Sequence, residues 1–309
     1  MNGADPIVEC VPNFSEGRRM EIVDALCAAV DGVGEVFLLD RESDTVHNRS
    51  VLTFAGAPQP VAEAAFLAAR IAVERIDLTK HEGGHPRMGA VDVIPFIPIR
   101  SITMADCIGL AKALGQRLWD ELRLPAYLYA EAAQRTERRR LPDLRKGQFE
   151  GIRDDIATNP ARLPDFGEAA VHPTAGITAV GARKPLIAYN IYLHSTDLTL
   201  AKEIAKAIRE RDGGLPAVQA MGVDFPDRGL VQVSCNLLDT DRSSIWRVFS
   251  EVQRRAAERG VEVESSELIG LVPERALLES GAHAIQLPDY SERMILELNL
   301  AQARARKRA

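Results

Sequence analysis

Cysteine is scarce in this chain: there are four among 309 residues, at positions 10, 27, 107 and 235, with no CxxC pairing. They lie in or beside apolar segments, which argues against a disulfide or zinc framework and for buried reduced thiols. Long hydrophobic runs are missing as well, since no apolar stretch approaches the ~18 residues needed to span a bilayer. Residues 1–6 carry neither a basic nor an apolar leader pattern, so the expectation is a cytoplasmic protein with no membrane partner. A positive net charge is absent too. The formal charge is −6 at pH 7, whereas a general nucleic-acid surface needs a basic face or stripe. Any anion site must therefore be local.

What is present is an ordinary globular composition, 46% hydrophobic and 27% charged, over more residues than the ~100–200 of a typical single core, so two domains are expected. Apolar spacing predicts a strand at 7–11, a helix at 18–30, strands at 36–40 and 49–54, and a helix begun by Pro58 and running to about Arg75. A strand at 90–99, a helix at 104–121 and a short aromatic strand at 126–130 follow. The polar stretch 134–164, rich in arginine and proline, reads as the boundary region. After it the order restarts, with strands at 185–193, 217–223, 230–238 and 261–272 and helices at 198–210 and 244–259. The repeated βαββαβ order defines an α+β fold of two split-βαβ, ferredoxin-like lobes, each an antiparallel-rich sheet covered by helices on one face. A ligand cleft between them is expected. Residues 290–309 read as helical, ending in Arg304, Arg306, Lys307 and Arg308, a solvated tail on composition.

The densest chemistry lies at His81-Glu82-Gly83-Gly84-His85-Pro86-Arg87-Met88-Gly89. As a string, residues 81–85 match HExxH, the zinc-metalloprotease signature. That motif works because a helix places both histidines on one face, but Gly83 and Gly84 each weaken helix by about 1 kcal/mol and Pro86 disfavours helical geometry at His85. The segment should be a loop, and no metal is expected. What remains is a glycine-rich loop presenting two imidazoles and a guanidinium just before a buried strand, which suits acid–base work near neutrality. The plainer reading is that His85 caps the strand and Arg87 makes a surface ion pair.

Two other clusters point to anion handling. Asp40, Glu42, Asp44, His47, Asn48 and Arg49 read as a polar loop between two strands, at the mouth of a site or merely as a solvated turn. Pro173, Thr174, Ala175 and Gly176 precede Gly181-Ala182-Arg183-Lys184, a turn-rich stretch where backbone N–H groups and two cations could hold a carboxylate, or else an inter-lobe linker.

Val8-Glu9-Cys10-Val11-Pro12-Asn13-Phe14-Ser15-Glu16-Gly17, His85-Pro86-Arg87-Met88-Gly89-Ala90, Pro95-Phe96-Ile97-Pro98, Gly181-Ala182-Arg183-Lys184 and Gly270-Leu271-Val272-Pro273, in that order, resemble the glutamate formiminotransferase family through nearly the whole chain. The resemblance covers the transferase alone, without the cyclodeaminase fused to it in animals, and implies a two-lobed ferredoxin-like fold, with residues 1–183 as the N-terminal lobe and 184–309 as the C-terminal lobe. It implies transfer of a formimino group from N-formimino-L-glutamate to tetrahydrofolate as co-substrate, in histidine degradation, by a homodimer. His85 matches the family's catalytic histidine. Gly167, Glu168, Ala169, Ala170, Val171, His172, Pro173, Thr174, Ala175 and Gly176 match its folate-binding stretch, with a departure at Ala175, where the animal enzymes carry tryptophan. Both substrates bear carboxylates, so Arg49, Arg87, Arg183 and Lys184 are candidate anchors, with Glu42 beside them. Two alternatives stay open on sequence: formyl transfer between glutamate and tetrahydrofolate, and a folate-binding protein without turnover.

Overall fold

In the computed structural model, residues 5–300 are described and fall into two compact units, one ending at Arg183 and the other beginning at Lys184. The first unit opens with β1 (Ile7–Cys10) and β2 (Asn13–Phe14), followed by α1 (Met20–Asp31), β3 (Val36–Asp44), β4 (Arg49–Gly56), α2 (Pro58–Arg75) and β5 (Val91–Arg100). Local chemistry explains most of these elements. Pro58 sits in the first turn of α2, where its missing N–H costs nothing. β4 alternates Leu52 and Phe54 into the core. The spatial order is β3-β4-β1/β2-β5, with β1 and β2 both pairing antiparallel to β4 on one side and β5 on the other.

This βαββαβ core is then extended. α3 (Met104–Leu122) starts at a capping box between Thr103 and Asp106 and leads to β6 (Ala126–Ala130). A covering segment with α4 (Leu141–Leu144) and α5 (Gln148–Asp155) comes next, and then β7 (Thr178–Ala182), which inserts parallel between β5 and β6. Helices α1, α2 and α3 bury one face of the sheet against Phe14, Leu52, Phe54, Ile94 and Phe96. Leu144, Ile152 and Ile156 bury part of the other face against Val93, Tyr127, Tyr129 and Ala179.

The second unit contains β8 (Ile187–Leu193), α6 (Leu198–Ile208), β9 (Val218–Phe225), β10 (Leu230–Leu237), α7 (Ile245–Ala257), β11 (Val263–Ile269) and α8 (Glu274–Ala284). Its sheet is antiparallel throughout, in the order β11-β8-β10-β9. Numbered within each repeat, both sheets run 4-1-3-2, so the βαββαβ repetition expected from periodicity is a topological identity. Side-chain caps from Asp197 and Ser244 begin α6 and α7.

Several expectations change. The polar stretch 134–164 is no boundary: its α4 and α5 fold onto the first sheet because Leu144, Phe149, Ile152 and Ile156 give it an apolar face among its charges. Gly181 and Ala182 form no turn but lie in β7, buried among strands, where small residues admit close packing. β3 reaches Asp44, so Asp40, Glu42 and Asp44 stand on a strand rather than in a loop. At the carboxyl end a 3-10 turn at residues 292–294 precedes the helix expected there, which is present over residues 296–300, and the cations at 304, 306, 307 and 308 lie outside the described residues. Among the described residues, no helix is long and apolar enough to cross a membrane.

Candidate active site

Residues 81–90, between α2 and β5, form a loop, so the helix that HExxH would need is not there. Its shape is fixed by the short turn joining β3 to β4. Asp44 Oδ1 accepts the amides of Val46 and His47 and closes that turn, and Val46 O accepts the amide of Gly84. A side chain at Gly83 would meet His47 O at 2.3 Å, so only glycine lets the two segments touch. Asn48, with a left-handed φ of 49°, ties three elements: its Oδ1 accepts Gly17 N, its Nδ2 donates to Glu82 O, and its O faces His81 Nε2 at 2.9 Å.

The two histidines differ in their hydrogen bonding. Since Asn48 O can only accept and Arg87 Nε can only donate, His81 must carry its proton on Nε2 and accept at Nδ1, 3.3 Å from Arg87 Nε. Both ring nitrogens are thereby engaged, and burial lowers the pKa of His81. His85 is only 8% exposed, and its Nε2 is buried with no hydrogen-bond partner. The Asp92 carboxylate stands 4.0 Å from that nitrogen, too far for a hydrogen bond. Burial first, then the charges of Arg145 and Arg49 and the imidazoles of His47 and His81, push the His85 pKa down to about 3. His85 is therefore neutral near pH 7, with a buried Nε2 that has no hydrogen-bond partner among the described residues.

Asp92, fully buried, accepts Met88 N at 2.7 Å and Arg145 Nε at 2.8 Å. A β-bulge puts it there. Phe14 pairs with Val91 and Asn13 with Val93, so one extra β5 residue is squeezed between them and Asp92 turns to the side away from the helices. Arg145 comes from the short connection between α4 and α5. This buried Asp–Arg pair was not foreseen from sequence. A lone acid inside the apolar run Val91-Asp92-Val93 was the available signal, whereas nothing local marks Arg145.

The four candidate cations separate sharply. Arg87 is held by Glu150 in a bidentate pair, at 2.8 and 2.6 Å, and by Gln148 at 3.2 Å; both acceptors lie in α5 and were missed. Lys184 is paired with Asp239 and Asp241, at 2.8 and 3.0 Å, within the second unit. Arg183 hydrogen-bonds Tyr129 and lies beside Glu9. Only Arg49 has a guanidinium without a hydrogen bond or close ion pair among the described residues. It is largely buried, which lowers its pKa, while Asp44 and then Glu42 act on it from β3 in the opposite sense. Since Leu52 and Phe54 point into the helix-side core, Arg49 projects from the opposite face. Glu42, whose β4 partner is Val51, shares that face.

The stretch 167–176 divides into two parts. Gly167, Glu168, Ala169 and Ala170 are exposed, with Val171 and His172 partly covered. From His172 the chain forms a tight hairpin: His172 N and O exchange bonds with Gly176, and His172 Nδ1 accepts the amides of Thr174 and Ala175, leaving Pro173 exposed at the tip. This hairpin is stitched to the histidine loop, because Ala175 O accepts Ala90 N at 2.8 Å and Met88 O accepts Ile177 N at 3.0 Å. Gly176 has φ +72°, and a Cβ there would stand 2.2 Å from Met88 O. Ala175, fully buried, points into the core. The structure thus brings His85, Arg87, Arg49, Glu42 and the 172–176 hairpin into one region of the first unit. Lys184 belongs to the second unit.

The sequence matches the formiminotransferase domain, N-terminal subdomain, over residues 7–183 and the formiminotransferase domain over residues 188–300. It is 44% identical over 295 residues to the glutamate formimidoyltransferase of Streptococcus pyogenes serotype M1, covering 95% of this chain and 98% of that one. The glutamate formimidoyltransferase of Thermoplasma acidophilum is 42% identical over 299 residues, covering 96% and 98%. The formimidoyltransferase-cyclodeaminase of Sus scrofa is 46% identical over 282 residues, covering 89% of this chain but only 52% of the longer protein.

Proposed function

The chain belongs to the formiminotransferase family, and from that membership we propose that it transfers the formimino group of N-formimino-L-glutamate to tetrahydrofolate, giving 5-formiminotetrahydrofolate and L-glutamate. The observation that carries the reading is the Nε2 of His85, a buried ring nitrogen with no protein partner in an imidazole kept neutral by its surroundings. Such an orphan is costly unless a ligand completes it.

His85 accepts the proton that the N5 amine gives up as it attacks the amidine carbon and forms the new C–N bond. The imidazolium then passes that proton to the glutamate nitrogen as the old C–N bond breaks. Protons balance, and one residue serves first as base and then as acid, an effect of typically 10²–10⁴-fold. Arg145 and Arg49 favour the second half by making the imidazolium a strong acid. Substrate carboxylates arriving beside Arg49 offset part of this positive field, which brings the histidine up toward the range a base needs. Arg49 is the anchor for one such carboxylate, since Arg87, Arg183 and Lys184 already have protein partners. Arg87, locked between His81 and Glu150, fixes the loop that presents His85. The stretch 167–176 receives the folate, its hairpin held to that loop by backbone bonds.

The setting that fits is cytoplasmic histidine and one-carbon metabolism in a homodimer of two-lobed subunits, with all four cysteines reduced and buried. The test is an assay of the purified protein with tetrahydrofolate and either N-formimino-glutamate or N-formyl-glutamate. Turnover with the formimino donor is expected. Turnover with the formyl donor alone, or folate binding with no turnover of either, would replace this reading.

A further inference from the structure

A second buried polar group near His85 lacks a partner. Asn13 is 9% exposed, its Oδ1 is wholly buried, and its amide makes no hydrogen bond among the described residues. Its place in the fold fixes where it points. In the two-residue strand β2, Phe14 enters the helix-side core, so Asn13 projects from the opposite face, between Val51 of β4 and Val93 of β5. That is the face of Arg49 and Glu42. Arg49 is the diagonal neighbour of Asn13 across β2 and β4, a spacing of about 7–8 Å between backbones. On the other side, Val93 follows Asp92, the bulged residue whose carboxylate lies 4.0 Å from His85 Nε2. Two orphaned atoms, one imidazole nitrogen and one amide oxygen, thus flank the same bulge. Packing gives no reason for the amide, since Val51 and Val93 beside it are aliphatic and leucine would fill the same space.

We infer that Asn13 contacts the donor and sets its specificity, its Oδ1 accepting the terminal N–H of the formimino group while His85 handles the proton. This rests on the transferase reading above and deepens it. The chemistry discriminates. A formimino group ends in a nitrogen that carries hydrogen and, being a strongly basic amidine, is cationic near neutrality. A formyl group ends in an oxygen that can only accept. A buried acceptor therefore completes its hydrogen bond with the first and is left facing a second lone pair with the other, the situation in which a polar site rejects an analogue most strongly. Glu42 on the same face adds a carboxylate that favours the cation.

The experiment is a comparison of kcat/KM for N-formimino-glutamate and N-formyl-glutamate in wild type, Asn13→Leu and Asn13→Asp. Asn13→Leu is expected to lose about 10- to 100-fold with the formimino donor, the range for a hydrogen bond to a charged group, and to change little with the formyl donor. Asn13→Asp, which keeps an acceptor, is expected to retain the formimino preference. A merely structural role would lower both donors together and leave their ratio unmoved, and that result overturns the inference. So does an inverted preference in wild type, which would mean that the amide turns its Nδ2 toward the donor. If the variants fail to fold, calorimetric binding to the wild-type protein decides: formimino-glutamate is expected to bind at least about tenfold tighter than formyl-glutamate, and equal affinities overturn the inference. Wild-type protein inactive with both donors would fail the transferase reading itself, a result distinct from an active enzyme indifferent to Asn13.

Discussion

Replacing His85 by asparagine should make the protein less sensitive to acid. In the folded chain the imidazole titrates at about 3, against 6.5 for an ordinary histidine. Between those values the unfolded chain holds a proton that the native one refuses, so native stability falls as the pH drops below about 6.5 and continues to fall until about 3. Each pH unit across that window costs at most about 1.4 kcal/mol, giving a ceiling of ~5 kcal/mol over the whole span. About two units below the ordinary histidine value, the wild-type protein should have lost ~2–2.5 kcal/mol through this group alone, a large part of the 5–15 kcal/mol that typical domains possess. His85→Asn removes the titration and adds only a pH-independent change from altered packing. Urea unfolding midpoints measured from about pH 8 down to about 4.5 would show the two proteins diverging in slope, with the wild type falling faster. Parallel curves would refute the claim that burial and the Arg145 and Arg49 charges hold this imidazole neutral.

In turnover, His85→Asn is expected to lower kcat by about 10²–10⁴-fold with folate binding little changed, because asparagine cannot cycle a proton. His81→Asn serves as the comparison: its ring only bridges Asn48 and Arg87, so its loss should be far smaller, and equal losses from the two histidines would point to a shared role such as metal ligation. Tetrahydrofolate at a hundredfold excess over its dissociation constant should stabilise the native state by about 2.7 kcal/mol, and an unshifted melting curve of folded protein at saturating folate would contradict the proposed folate stretch. Gly176→Ala should destabilise the chain by about 2–4 kcal/mol, combining a left-handed φ with a Cβ driven into Met88 O; a melting temperature within a degree of wild type would show that the hairpin yields more easily than its geometry implies.

Sequence by itself determined the elements of the two βαββαβ repeats and their order, but not α4, α5 and β7, which fall in stretches that read as a boundary and a turn. Periodicity and punctuation are local properties, so the helix at Pro58–Arg75 and the βαββαβ order of both lobes were legible before any packing was considered. The loop character of 81–90 was equally legible, because Gly83, Gly84 and Pro86 act on their own backbone. Tertiary structure alone decided which charges are available. Arg87, Arg183, Lys184 and Arg49 look alike in sequence, yet Glu150, Tyr129 and Asp239 arrive from distant segments to engage the first three. The same holds for Asp92, whose direction depends on a bulge formed only when β2 pairs with β5, and for Asn13, whose neighbours on that face come from β4 and β5. A hydrogen-bond partner or a desolvated nitrogen is a relation between residues far apart in the chain, and local pattern carries no record of it. The His85 pKa is the extreme case, since neutrality near pH 7 is imposed by enclosure and by a guanidinium sixty residues downstream.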